Sequence, residues 1–281
     1  MTSIDVNQGT LHIIDEGPRD DAHCGPFLMV HGLARSGFFW KDWVPLLSRE
    51  HRVIRLDLRG CGDSSLLPGA TSFSFEDLVS DVRAVIAALD LRAVNYVGES
   101  TGGLVGTVIA ARDPERIATL SLVSTPTRPA DGDPGTKSPG AATPEDSLRE
   151  LGLEQWWLQS RAMTGDLFGD ERDQEYASMF ARTPVPVAVA MWRAMHEPDV
   201  DLSRWAAGVR ARTLILSPGR STSLSAGGQQ ELAELIPGAE LHRYPGWTHG
   251  MYFLHPAELA ADVLRFVDGQ PDNSRKRGEH T

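Results

Sequence analysis

The sequence predicts an α/β fold: a mainly parallel sheet with helices on both faces, carrying one helical insertion. Three observations predict it. Short apolar runs of strand length alternate with amphipathic runs of helical spacing. A chain of 281 residues with 41% hydrophobic and 23% charged residues supports one large buried core. Between residues 126 and 205 the alternation stops and the composition changes character. The predicted division is a core of residues 1–125 and 206–268, a loop and helical cap at 126–205, and a disordered polar tail at 269–281.

Residues 11–15 read as an early strand, and residues 27–30 as a short, fully apolar strand ending at His31-Gly32. Residues 40–48 have helical spacing through Trp43, Leu46 and Leu47, and residues 52–56 are a strand ending at Asp57. Residues 75–89 place Leu78, Val82, Val85, Ile86 and Leu89 on one helical face. Val94, Tyr96 and Val97 mark the next strand, a small-residue helical run follows at 103–111, and residues 117–123 are again a strand. Residues 126–144, rich in Pro, Gly, Asp and Thr, read as a loop of lid or linker length. Residues 147–205 read as mostly helical and hold Trp156, Trp157, Met163, Phe168, Met179, Phe180, Met191, Trp192 and Trp205. The α/β pattern then resumes with a strand at 213–216, a helix at 229–235, a strand at 241–244 and a closing helix at 256–267.

A net charge of −11 and a pI of about 5.3 disfavour nucleic acid and anionic membranes as partners. Cys24 and Cys61 lack a metal-ligand spacing, which argues against zinc, and leave a disulfide open; a reducing cytoplasm is the simplest location. The N-terminus carries no basic region followed by an apolar signal core, and no stretch is long and apolar enough to span a bilayer. There is no internal repeat and no signal for oligomeric state.

The chemistry concentrates at Gly98-Glu99-Ser100-Thr101-Gly102. Strand, tight turn and helix meet there with a serine at the apex. Such an elbow lifts the hydroxyl clear of the sheet and aims the following backbone N–H at a developing oxyanion. His31, Asp57 and Ser100 all fall at the carboxyl ends of predicted strands, where ligands of open α/β sheets bind. Serine is a weak nucleophile until a base takes its proton. Of nine histidines, His249 is the candidate base, in a loop after a strand between Gly246 and Gly250. His31 and Glu99 read as structural, whereas Asp57 and Arg59 look catalytic at a glance.

In these motifs the chain resembles the α/β-hydrolase superfamily, in its cap-bearing branch of esterases, lactonases, C–C hydrolases and dehalogenases. The likeness rests on His31-Gly32-Leu33, on residues 57–64 (Asp-Leu-Arg-Gly-Cys-Gly-Asp-Ser), on the elbow, and on Gly246-Trp247-Thr248-His249-Gly250, and it covers about residues 10–268. It implies Ser100 as nucleophile, His249 as base, and the backbone N–H groups of Leu33 and Thr101 as the oxyanion hole. It implies that Asp57 and Arg59 are structural and brace the loop near the oxyanion hole. No cofactor and no metal are expected. A dehalogenase would need a carboxylate where Ser100 stands.

The resemblance also implies an acid, and here the chain departs from the pattern. The usual address, after the strand at 213–216, holds Ser221, 28 residues before His249. The alternative address, after the strand at 117–123, holds Ser124. Three explanations stand open. The acid comes from elsewhere (Asp131, Asp133, Glu99 or the cap); or Ser100 and His249 work as a dyad with Ser221 or water on the imidazole; or turnover is weak or absent. The aromatic cap suggests a dry pocket for a small hydrophobic substrate, with Trp156, Trp157 and Trp192 as first candidates. The leading expectation is a serine hydrolase acting on a hydrophobic ester, lactone or related acyl compound. The alternatives are a C–C bond hydrolase of acidic ring-cleavage products, for which Arg161, Arg182 or Arg193 would supply the cation, and a ligand-binding homologue with little turnover.

Overall fold

The structure, a computed structural model, describes residues 2–19, 25–129, 139–140, 143–221 and 224–269. Cys24, Asp131, Asp133 and the tail beyond residue 269 lie outside the described residues.

Nine strands form one sheet: β1 (Thr2–Val6), β2 (Gly9–Glu16), β3 (Phe27–Val30), β4 (Val53–Leu56), β5 (Ser65–Leu66), β6 (Val94–Glu99), β7 (Ile117–Val123), β8 (Arg212–Pro218) and β9 (Glu240–Tyr244). Their order is β1-β2-β4-β3-β6-β7-β8-β9, with β5 beside β2. Contacts from β4 through β9 are parallel, whereas β1, β2 and β5 pair antiparallel. The central strands β3, β4 and β6 are buried along their whole length, as near-continuous apolar runs covered on both faces should be. Sequence periodicity does not reveal β1, whose residues Thr-Ser-Ile-Asp-Val hold no apolar run, or β5, which is two residues long.

The helices are α1 (Val44–Leu47), α2 (Phe75–Ala88), α3 (Thr101–Arg112), α4 (Pro144–Thr164), α5 (Arg172–Phe180), α6 (Val185–Met195), α7 (Ala226–Leu235), α8 (Met251–Leu254) and α9 (Pro256–Val267). The single helix expected at 40–48 is instead a 3₁₀ turn at Gly37–Trp40 followed by α1. Pro45 explains the division, because proline is tolerated only in a helix's first turn. Ser74 and Asp77 form a reciprocal capping box that starts α2 where the periodicity places it.

Helices α4, α5 and α6 all lie between β7 and β8, and α4 bends at Gly152, whose φ is 67°. An aromatic cluster joins this insertion to the core. The ring of Trp157 lies 5.3 Å from Phe39, 5.1 Å from Phe180 and 5.5 Å from Phe253. No helix among the described residues is long and apolar enough to cross a membrane.

Candidate active site

Ser100 stands between the end of β6 and the first residue of α3, with φ 48° and ψ −111°. A side-chain-bearing residue in that region costs about 1–3 kcal/mol, and it persists only where the surroundings over-determine it. Here the surroundings are backbone. A Cβ on Gly102 would lie 2.2 Å from the Val30 carbonyl oxygen, and one on Gly98 would lie 2.6 Å from the backbone of Gly102 and Gly103. The Ser100 N–H donates to the Val123 carbonyl at 3.0 Å. Two glycines therefore let β3, β6 and α3 close around the turn.

The loop after β3 is held by buried polar contacts. His31 Nδ1 bonds the Gly32 carbonyl at 2.7 Å, and the Leu58 N–H donates to His31 Nε2 at 2.9 Å. Those two bonds set the tautomer with the proton on Nδ1. Burial lowers the His31 pKa, so the ring is a neutral brace. Asp57 accepts from the N–H of Gly37 at 2.6 Å, from that of Asp63 at 2.9 Å, and contacts His12 Nδ1 at 2.9 Å. Arg59 grips Asp81 through two 2.7 Å bonds. The carboxylate and guanidinium of this motif are thus occupied in holding the loops. The N–H groups of Leu33 and Thr101 donate to no backbone or side-chain acceptor among the described residues.

His249 sits in the loop between β9 and α8, and neighbouring backbone fixes that loop. The Gly219 N–H donates to the Tyr244 carbonyl at 2.8 Å, and the Arg220 N–H to the Trp247 carbonyl at 2.9 Å. These bonds bring Ser221 to the imidazole, with Oγ 3.5 Å from Nδ1. Ser124, at φ 46°, donates its hydroxyl to the His249 backbone carbonyl at 3.0 Å. Both serines at the expected acid addresses therefore touch His249, one at the ring and one at the main chain. Neither carries charge.

Among the described residues, the carboxylate beside the imidazole is Glu99. Its Oε1 lies 3.2 Å from His249 Nε2. Oε1 is buried and outside the alignment of a hydrogen bond, so this contact is electrostatic. Oε2 accepts from Arg35 Nη1 at 3.2 Å, and both side chains are buried. Burial alone would raise the Glu99 pKa; the Arg35 charge, then the contact with His249, outweigh it and hold the carboxyl below its ordinary value. Sequence reading favours a structural Glu99 while naming it among the possible sources of the acid, and it does not single out Arg35. The structure brings both to the base. Ser100 Oγ has no hydrogen-bond partner among the described residues, so the serine–imidazole bond is not closed.

From the insertion, α6 approaches the elbow. The Thr101 hydroxyl contacts Met195 Sδ at 3.5 Å, and the Ala34 N–H contacts Met191 Sδ at 3.4 Å. The tryptophans chosen from sequence occupy other surroundings. Trp157 is buried in the joining cluster, Trp156 stacks on Phe180 at 5.8 Å, and Trp192 stacks on His196 at 4.1 Å. The spacing of Met191 and Met195, one helical turn apart, was the available sequence signal for the surface over the elbow. Of the three arginines, Arg161 is buried and pairs with Asp166 at 2.8 Å; Arg182 and Arg193 are exposed and pair with Asp63 and Glu145.

Comparison with known proteins agrees with this architecture. A family model described as alpha/beta hydrolase fold matches residues 25–256. A haloalkane dehalogenase from Psychrobacter cryohalolentis is 25% identical over 93% of this chain and 88% of its own length. A non-heme chloroperoxidase from Streptomyces lividans is 27% identical over 95% of this chain and 99% of its own. The solved enol-lactonase from Burkholderia xenovorans LB400 superposes with a TM-score of 0.74 at 23% identity, covering 95% of this chain and 100% of that one, a likeness of fold. With its parallel sheet, its strained elbow and the family match across most of its length, the chain belongs to the α/β-hydrolase fold family.

Proposed function

We propose that the protein is a serine hydrolase that cleaves a small, hydrophobic ester, lactone or related acyl compound through an acyl-enzyme on Ser100. The observation that carries this reading is the strained Ser100, held by backbone contacts at the carboxyl edge of the sheet, with His249 on the neighbouring loop. In the proposed reaction Ser100 Oγ bonds to the acyl carbon as its proton passes to the imidazole of His249. The carbonyl π pair moves onto oxygen, where the N–H groups of Leu33 and Thr101 receive the negative charge. Collapse re-forms the carbonyl, breaks the bond to the leaving oxygen, and returns the proton from His249 to that oxygen. Water then repeats the sequence, with His249 taking its proton, and frees the acid and Ser100.

Closing the open Ser100–His249 bond accompanies substrate binding in this reading, because catalytic hydrogen bonds are often long before substrate arrives. The insertion acts as a cap, and Met191 and Met195 cover the acyl site with adaptable apolar surface. A fluorophosphonate should label Ser100, and Ser100→Ala should abolish both labelling and ester hydrolysis. Hydrolysis unchanged in Ser100→Ala would end the proposal.

A second reading, a ligand-binding homologue with little turnover, draws on the Ser100 hydroxyl, which has no partner among the described residues, and on the serines at both acid addresses. Tight binding of an acyl compound with no product, unaffected by Ser100→Ala, would favour it. For the C–C hydrolase alternative, Arg161 is the buried cation of the insertion, already paired with Asp166. Turnover of a ring-fission dienone but of no simple ester would favour that chemistry.

A further inference from the structure

We infer that Glu99 supplies the negative charge that stabilises the His249 imidazolium, doing from beside Nε2 what Ser221 and Ser124 cannot do from the usual acid addresses. The inference rests on the serine hydrolase reading. Glu99 is a positioning residue here: it acts on Ser100 through His249 and stays ionised throughout.

Four observations support it. The first is contact, with Glu99 Oε1 3.2 Å from His249 Nε2. The second is direction. Oε1 meets Nε2 outside the geometry of a hydrogen bond, and the in-line direction of that nitrogen is assigned to the Ser100 proton. Once that proton arrives, the ring is cationic and the carboxylate lies against it.

The third observation is that the two carboxylate oxygens are used differently. Fastening the loop after β3 would need only the Arg35 bond, and Arg35 uses Oε2. Oε1 is buried, accepts no aligned hydrogen bond, and faces the imidazole. A buried carboxylate oxygen left in that state needs an explanation, and a charge that appears only during the reaction provides one.

The fourth is that the chain makes room for this arrangement. A Cβ at Gly32 would lie 2.3 Å from Glu99 Oε2 and 3.0 Å from Arg35 Nη1. A side chain at position 32 would have to displace the carboxylate end of Glu99, and glycine leaves the ion pair in place. The neutral His31 ring also lies near Glu99. Among the described residues, Arg161 and Tyr252 are further ionisable groups near it.

The test is the rate of Ser100 labelling by a fluorophosphonate across pH, with ester hydrolysis measured in parallel, in the full chain. Glu99→Gln keeps the shape and removes the charge. Labelling and kcat should fall by about 10²–10⁴-fold, on the scale of losing a triad acid, with KM little changed. The acidic limb of the rate profile should move to lower pH, because a negative charge beside the base has gone. Placing a carboxylate at the usual address, Glu99→Gln with Ser221→Asp, should recover at least tenfold. Rates within twofold of wild type in Glu99→Gln would overturn the proposal. So would a fall with an unmoved limb and no recovery, which is the signature of damaged packing.

Ser221→Asp alone decides the matter if Glu99→Gln does not fold. A gain under twofold agrees with a charge already supplied, and a gain of tenfold or more means the acid was missing. If wild-type Ser100 does not label at any pH, the hydrolase reading fails and this inference falls with it. That outcome is distinct from labelling that is indifferent to Glu99.

Discussion

The two sides of His249 are built by different means. On the nucleophile side, backbone packs against backbone, a serine is held at φ 48°, and a buried carboxylate and guanidinium lie under the oxyanion loop. On the acid side, two hydroxyls meet the histidine at 3.5 Å and 3.0 Å, and neither is ionised. One side is fixed by sterics and charge, the other by neutral hydrogen bonds worth about 0.5–1.5 kcal/mol each. In the proposed mechanism, the difference means that the catalytic charge need not sit where the fold usually keeps it. A strand-terminal glutamate next to the nucleophile reaches the same ring.

The sharpest way to break the comparison is Gly102→Ala. Its methyl would fall 2.2 Å from the Val30 carbonyl oxygen and 2.8 Å from that of His31. Both are backbone atoms of the strand that carries the oxyanion loop, so no side chain can yield. The cost should exceed the usual overpacking range of about 1–3 kcal/mol. Urea unfolding should show a collapse of the midpoint or no folded protein. A midpoint near that of wild type would mean the elbow is less tightly determined than its contacts indicate.

Arg35→Met comes next. Removing one partner of a buried ion pair costs about 3–5 kcal/mol, because the other charge is left uncompensated. The pH dependence should also change sign. In the native protein Glu99 has a depressed pKa, so its contribution to stability is present above the unfolded value of about 4.3 and is lost as pH falls through the folded value. Without Arg35, burial becomes the dominant influence and pushes the Glu99 pKa upward. Its contribution then favours the protonated form and fades as pH rises. The stability deficit of Arg35→Met relative to wild type should therefore be larger at pH 7 than at pH 4. A deficit that does not vary with pH would show that Glu99 does not depend on Arg35.

This contrast also marks what the sequence conveys. The elbow, the strand ends at His31 and Asp57, and the loop of His249 are legible because they follow from local rules: period, turn chemistry, and a glycine where backbone must pass close. The role of Glu99 is not legible in that way. It depends on where the His249 ring points, which is set by Gly219 and Arg220 bonding across to Tyr244 and Trp247. It depends as well on Arg35 folding back from a loop 64 residues earlier. The aromatic insertion is legible as a compositional change, but composition does not say which rings pack. Trp157 is buried among Phe39, Phe180 and Phe253, while the elbow is met by Met191 and Met195.

The smallest predicted effect belongs to the acid side. In Ser221→Ala the imidazole loses a hydroxyl 3.5 Å from Nδ1, at the long limit of a hydrogen bond. If Glu99 holds the charge, Ser221 only helps to orient the ring, and Ser124 still anchors the loop through the His249 carbonyl. The loss in kcat should then stay under about tenfold, the equivalent of one neutral hydrogen bond. The acidic limb of the rate profile should not move, because no charge has been removed. A loss near the 10⁴-fold typical of a triad acid would reverse the comparison. The hydroxyl at position 221 would then be the partner on which His249 depends, and Glu99 a brace for Arg35.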